Sequence, residues 1–278
     1  MWQRIWPAQR WFIIELFIMA NLAFLALDVY LAHAVNYFRD PSEWLPVIFS
    51  IAAPIGLGWE HYRRRASQDR SRPVGLVIGW GAIVLGILGM IFHLGSQFFE
   101  HYTLHSLVYA APFVAPLAYT GLGFLLLLNR MVPDESIEWS QWVLLMGLGG
   151  FVGVFILALA DHAQNGFFYA VEWVPVVASA YALAFLLIAF FRPVTPAFLN
   201  ACLWVLALQV FIGVAGVLLH LRVTLDGASQ SWLQKIIEGP PVMAPLLFPN
   251  LALLSGLGIL DWRGKLESGT GGQERDIP

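Results

Sequence analysis

Long apolar blocks separated by short polar stretches run the length of this chain. They fall near residues 11–36, 44–61, 74–96, 107–129, 141–162, 171–191, 197–220 and 240–261. At a helical rise of 1.5 Å, blocks of about 20 residues cross a hydrocarbon core of roughly 30 Å. No block alternates with period two, which excludes a closed β-barrel. The pattern predicts an all-α integral membrane protein with eight transmembrane helices. The stretch from Trp11 to Ala34 follows Arg4 and Arg10 but is too long for the apolar region of a cleaved signal, so it is read as the first helix.

Composition agrees with this pattern. Of 278 residues, 59% are hydrophobic and 12% charged, about half the charged share of an ordinary soluble domain. The net charge of −3 gives no footing for nucleic acid, so the lipid bilayer is the expected partner. Twelve Trp suit the two interfacial belts. The single Cys202 allows no intrachain disulfide and no cysteine-based metal site. Arg4, Arg10, Arg63, Arg64, Arg65, Arg70, Arg72, Arg130, Arg192, Arg263, Lys265 and Arg275 fall on one side of the blocks; Arg39, Arg222 and Lys235 fall on the other. The richer side is expected to be cytoplasmic, with both termini there, in a bacterial-type inner (plasma) membrane. Residues 263–278 read as a disordered cytoplasmic tail.

The chain also resembles itself. Shifted by 129 residues, His33-Ala-Val-Asn36-Tyr-Phe38 meets His162-Ala-Gln-Asn165-Gly-Phe167, and Glu43-Trp44-Leu-Pro46 meets Glu172-Trp173-Val-Pro175. Seven of the fourteen positions in 33–46 and 162–175 agree, whereas none of the thirteen preceding ones does. The next hairpin repeats the relation: Pro112, Ala115 and Pro116 meet Pro241, Ala244 and Pro245. Gly86, Gly89 and His93 meet Gly213, Gly216 and His220 at a shift of 127. Two tandem four-helix repeats are therefore expected, 1–133 and 134–262, in the same orientation and related by a pseudo-two-fold axis along the membrane normal.

In each hairpin a His ends the first helix and a Pro opens the second. Three residues before that Pro stand Glu43, Tyr109, Glu172 and Glu238, with His105 one turn before Tyr109. Gathered around one axis at the outer (periplasmic) face, His33, His93, His162 and His220 would be metal ligands, joined by Glu43, Glu172, Glu238 and His105. Imidazole and carboxylate together suit a transition metal, here iron or copper ahead of zinc. Asn36, Asn165, Asp28, Asp161 and Tyr109 are the expected supporting shell. This reading predicts a redox or oxygen-related site, with a metal-dependent membrane oxidoreductase as the corresponding enzyme. The plain alternative is that His, Glu and Trp are ordinary helix-end residues at an interface.

Two other functions compete. Gly86, Gly89, Gly213 and Gly216, at −7 and −4 from His93 and His220, would let a flat b-type haem approach for electron transfer; they would equally let helices pack closely. A metal-ion or proton transporter is the third reading, although Glu15, Asp28 and Glu60 form no evident path. Glu60 and His61 read as a solvated helix end. Outer segments 97–106 and 226–238 are expected to lie at the interface and to shield the site or admit a quinone or another lipid-soluble substrate. Lateral membrane subunits are compatible with the short loops.

Overall fold

The computed structural model describes residues 2–63, 73–227 and 231–268, without the side chains of 2–8 and Glu238. The expected disordered tail thus falls mostly outside the described residues, as do Arg64, Arg65, Arg70, Arg72, Arg275 and the side chain of Arg4.

Among the described residues the chain is entirely helical. Its helices are α1 (Trp2–Ala34), α2 (Trp44–Arg63), α3 (Pro73–Gly95), α4 (Phe98–His101), α5 (Leu104–Val108), α6 (Leu117–Met131), α7 (Ile137–Gln164), α8 (Trp173–Phe191), α9 (Pro196–Asp226), α10 (Trp232–Glu238) and α11 (Leu247–Glu267). Short 3-10 turns precede α2, α8 and α11. Six segments are long and apolar enough to cross a membrane: Gln9–Ala34, Pro73–Gly95, Ile137–Gln164, Ala170–Phe191, Pro196–Asp226 and Ala244–Glu267. This is an α-helical, multi-pass membrane architecture. The 15 residues of α6 reach only about 22 Å at 1.5 Å each, short of a hydrocarbon core.

Two expected blocks begin late. The block 107–129 becomes α5, a non-helical stretch and then α6, and the block 240–261 is helical only from Leu247. Proline is the cause. Pro112 and Pro116, like Pro241 and Pro245, donate no backbone hydrogen bond and turn the preceding residue away from helix. At the other end α11 runs to Glu267, beyond the expected end of the second repeat at 262.

The chain forms two compact units. One comprises Met1–Ile87, Tyr119–Met131 and Ala215–Pro245; the other comprises Leu88–Ala118, Val132–Val214 and Leu246–Pro278. Each therefore combines the first hairpin and most of the second of one expected repeat with the connecting end of the second hairpin of the other.

In the first unit α1 packs along α2, and α3 meets α6 through glycine: a Cβ on Gly79 would lie 2.8 Å from Leu127. Beneath this packing lies a buried charge cluster. Arg130 of α6 pairs with Glu15 of α1 and donates to Glu60 of α2 at 2.9 Å. Glu15 is 3% exposed and Glu60 2%. Glu60 also accepts from the backbone N–H groups of Val74 and Gly75 at 3.1 and 3.3 Å, which caps the start of α3. Any side chain at Gly75 would collide with the Arg130 guanidinium. The expectation of a solvated Glu60 is thus corrected, because three donors compensate its removal from water.

In the second unit α7 is packed between α8 and α11 around Leu144, Phe151, Ala182, Leu186 and Ile259. Here too a buried cation closes the bundle. Lys265 pairs with Asp261 and donates to the Asp134 carbonyl at 2.9 Å, the Ser136 carbonyl at 2.6 Å and Ser140 Oγ at 3.0 Å. Ser140 in turn donates to Asp261 at 2.6 Å. Lys265, expected in the tail, is instead a buried residue of α11, drawn in by these acceptors.

Removing one partner of a buried ion pair costs about 3–5 kcal/mol, because the other charge stays desolvated. Arg130→Met should therefore lower the free energy of unfolding by an amount of that order, seen as a lower midpoint in detergent titrations. A midpoint equal to that of the parent chain would show that the cluster contributes nothing to stability.

Candidate functional site

The first outer turn is built backward from His33. Beyond α1, the N–H groups of Asn36 and Phe38 both return to the His33 carbonyl, at 3.0 and 3.4 Å, and that of Tyr37 returns to Ala34 at 3.1 Å. Closing the turn this tightly puts Tyr37 and Phe38 at φ 58° and 49°, in the left-handed region that costs a non-glycine residue on the order of 1 kcal/mol or more. The Phe38 ring then stacks on Trp44, the first residue of α2, at 4.1 Å and 19°. Asp40 caps the 3-10 turn by accepting from Ser42 N at 2.8 Å, and this bond holds its carboxyl below the usual range.

The second outer turn repeats this geometry. Asn165 and Phe167 return to the His162 carbonyl at 3.2 and 3.1 Å, and Gly166 to Ala163 at 3.0 Å. Gly166 and Phe167 have φ 66° and 51°, and Phe167 stacks on Trp173 at 3.9 Å and 13°. Glycine relieves here the strain that Tyr37 carries in the first turn.

Each turn brings a His to a Glu. His33 Nδ1 lies 3.5 Å from Glu43 Oε2, and His162 Nδ1 lies 4.0 Å from Glu172 Oε2. Both Oε2 atoms are closed to solvent and accept no hydrogen bond. A desolvated carboxylate oxygen without a donor is an unfavourable arrangement that an imidazolium or a metal cation would relieve.

His93 and His220 do something different. Each ring Nδ1 lies 2.9 Å from the carbonyl of the proline opening the next segment, Pro112 and Pro241 respectively. A carbonyl can only accept, so Nδ1 carries the proton and Nε2 is the basic nitrogen of the neutral ring. Gly89 and Gly216 receive the following prolines: a Cβ on either would stand 2.8 Å from Cβ of Pro116 or Pro245. Proline rings therefore occupy the space beside these two glycines. Gly86 and Gly213 are buried within α3 and α9.

In the second unit the exposed His105 stacks on Tyr109 at 4.5 Å and 23°. Their helix, α5, docks on the end of α7: Gln164 Nε2 donates to the Val108 carbonyl at 2.7 Å, and Tyr109 Oη to the Gln164 carbonyl at 3.4 Å. His105 and Tyr109 thus belong to the same unit as the His162 turn. In the first unit α10 packs against α1. Glu238 ends α10, but its side chain lies outside the described residues. Asn36 and Asn165 are exposed and serve the turns through their backbones. Asp28 and Asp161 are half-buried on α1 and α7. Among the described residues, no group of three or more His, Cys, Asp or Glu side chains is placed to hold a metal ion.

The stacked Phe–Trp pairs carry the turn geometry and were not singled out as functional from sequence. Their signal was present, since Phe38, Trp44, Phe167 and Trp173 are among the positions shared by the two segments. The chain matches no protein-family model, no curated protein and no solved structure.

The proline–glycine contacts yield a direct test. Gly89→Ala and Gly216→Ala should each cost about 1–3 kcal/mol by overpacking, seen as a lower thermal midpoint. Gly121→Ala, with nothing within 4 Å of its Cβ, should be neutral or slightly stabilising. Equal behaviour of all three variants would remove the close approach as the reason for the glycines.

Proposed function

We propose that this chain is an eight-span inner-membrane protein of two tandem four-helix repeats whose outer turns each bind one transition-metal cation through a His–Glu pair. The observation behind this reading is the desolvated, donorless Oε2 of Glu43 and Glu172 beside a same-turn imidazole, under the same left-handed backbone. His33 Nδ1 and Glu43 Oε2 are 3.5 Å apart, and His162 Nδ1 and Glu172 Oε2 are 4.0 Å apart, so each pair would offer one nitrogen and one oxygen ligand to a cation. A pair supplies two ligands, so water or a substrate completes the coordination, as in open catalytic sites. Iron or copper in a redox role suits this set, and a lipid-soluble redox substrate such as a quinone suits its position at the membrane edge.

In this reading His93 and His220 keep the tautomer typical of metal-ligating histidines, with Nδ1–H on a carbonyl and Nε2 as the donor nitrogen. The eight-span count adds α2 and α6, as the return limbs of their hairpins, to the six segments long and apolar enough to cross. The periplasmic placement of the turns rests on the Lys and Arg bias.

Metal content after equilibrium dialysis against iron(II) or copper(II) tests the site. His33→Ala or Glu43→Gln should halve the bound metal, and His33→Ala combined with His162→Ala should abolish it. Full occupancy in the double variant would refute the pairing. Topology has its own test in a Cys202→Ser background. A membrane-impermeant maleimide should label Asp40→Cys and Tyr169→Cys in intact cells, and Glu267→Cys only after lysis. Labelling of the first two from opposite faces would overturn the parallel repeat.

A further inference from the structure

At the opposite end of α2 from the His–Glu turn lies a cleft of about 210 Å3, lined by Trp59, Glu60, Arg63 and Val74. We propose that this cleft seats the phosphate of an anionic phospholipid. At about 30 Å3 per water, it holds the volume of roughly seven waters, enough for a phosphate group and part of its glycerol.

The charges fit an anion. Arg63 lies with its guanidinium 5.2 Å from the Trp59 ring centroid and makes no ion pair among the described residues. Glu60 also lines the cleft, but both its oxygens are engaged by Arg130 and the first N–H groups of α3. The negative charge of Glu60 is thus compensated within the protein, whereas the positive charge of Arg63 meets no carboxylate among the described residues. The fork of a guanidinium suits phosphate oxygens.

The location fits a lipid. Val74 stands at the start of a helix long and apolar enough to cross the membrane, so the cleft opens at headgroup depth. Trp59 and Tyr62 are 55% and 71% exposed there, as interfacial aromatics are. Trp59 and Val74 offer apolar walls that a lipid's glycerol and upper chain can use and a free anion cannot. In sequence the next nine residues contain Arg64, Arg65, Arg70 and Arg72 against Asp69 alone, a polybasic run of the kind that draws anionic lipids to a membrane face.

The test is native mass spectrometry of the full chain released from nanodiscs containing equal phosphatidylglycerol and phosphatidylcholine. The parent chain should retain one phosphatidylglycerol in preference to phosphatidylcholine. Arg63→Gln should reduce that adduct at least fivefold, while Arg63→Lys restores part of it. Arg263→Gln, which removes an arginine already paired with Glu267, should leave the adduct unchanged. Equal retention of the two lipids, or an Arg63→Gln adduct as abundant as the parent's, would overturn the proposal. So would displacement of the lipid by millimolar inorganic phosphate, which would identify the cleft as a site for a soluble anion. Matching thermal midpoints of parent and Arg63→Gln exclude unfolding as the cause of a lost adduct.

Discussion

A chain this apolar must satisfy its backbone wherever it stops being helical, because the surrounding lipid supplies no hydrogen bonds. Where proline or a tight turn interrupts the helical ladder, other partners take over. Prolines delay the starts of α6 and α11 and leave carbonyls without helical partners. The imidazoles of His93 and His220 reach across to those of Pro112 and Pro241. Gly89 and Gly216 admit the following prolines at contact distance. In the other two hairpins the returning N–H groups fold onto the carbonyls of His33 and His162 themselves. All four histidines therefore have structural work within their turns, and only two of them also face a carboxylate.

Within each unit, buried charges pose a different problem. Glu15 and Glu60 with Arg130, and Asp261 with Lys265, are charges withdrawn from water near the ends of long helices. Burying any one alone would be costly, so each is tied to an opposite charge and to backbone groups that would otherwise be unpaired. Glu60 joins the Arg130 cluster to the start of α3, and Lys265 joins Asp261 to the carbonyls preceding α7. Within its own unit each cluster ties helix segments at the end away from the His33 or His162 turn. They are not equivalents in sequence: an arginine between two glutamates serves one unit, and a lysine beside an aspartate and a serine serves the other.

Much of the fold was legible because hydropathy and proline act locally. The six long apolar helices among the described residues follow from apolar runs, and the late helix starts from Pro112, Pro116, Pro241 and Pro245, residues whose sequence positions alone fit opening a helix as well as delaying one. The repeated turns were legible as well, since Asn, Phe, Glu and Trp recur at fixed offsets from His33 and His162. Glu60 and Lys265 were not, because their burial depends on partners 70 and 125 residues away, a separation that periodicity does not encode. Nor could spacing distinguish a histidine facing a glutamate from one bonded to a proline carbonyl. That difference lies in which atom the backbone turn presents to Nδ1.

The comparison of the two outer turns bears on why they are built as they are. If closing a hairpin were their whole purpose, the first could relieve Tyr37 with a glycine, as the second does at Gly166, and neither would need a glutamate whose buried oxygen has no donor. An alanine at 43 or 172 would leave the Phe–Trp stack and the turn hydrogen bonds intact and remove an unsatisfied polar atom. The chain instead keeps strain at Phe38 and Phe167 and an uncompensated carboxylate oxygen beside each imidazole. Features that oppose stability and recur in two otherwise dissimilar segments are the ground on which the proposed cation rests. That argument applies to His33 with Glu43 and His162 with Glu172. It does not extend to His93 and His220, whose hydrogen bonds are complete reasons for their presence.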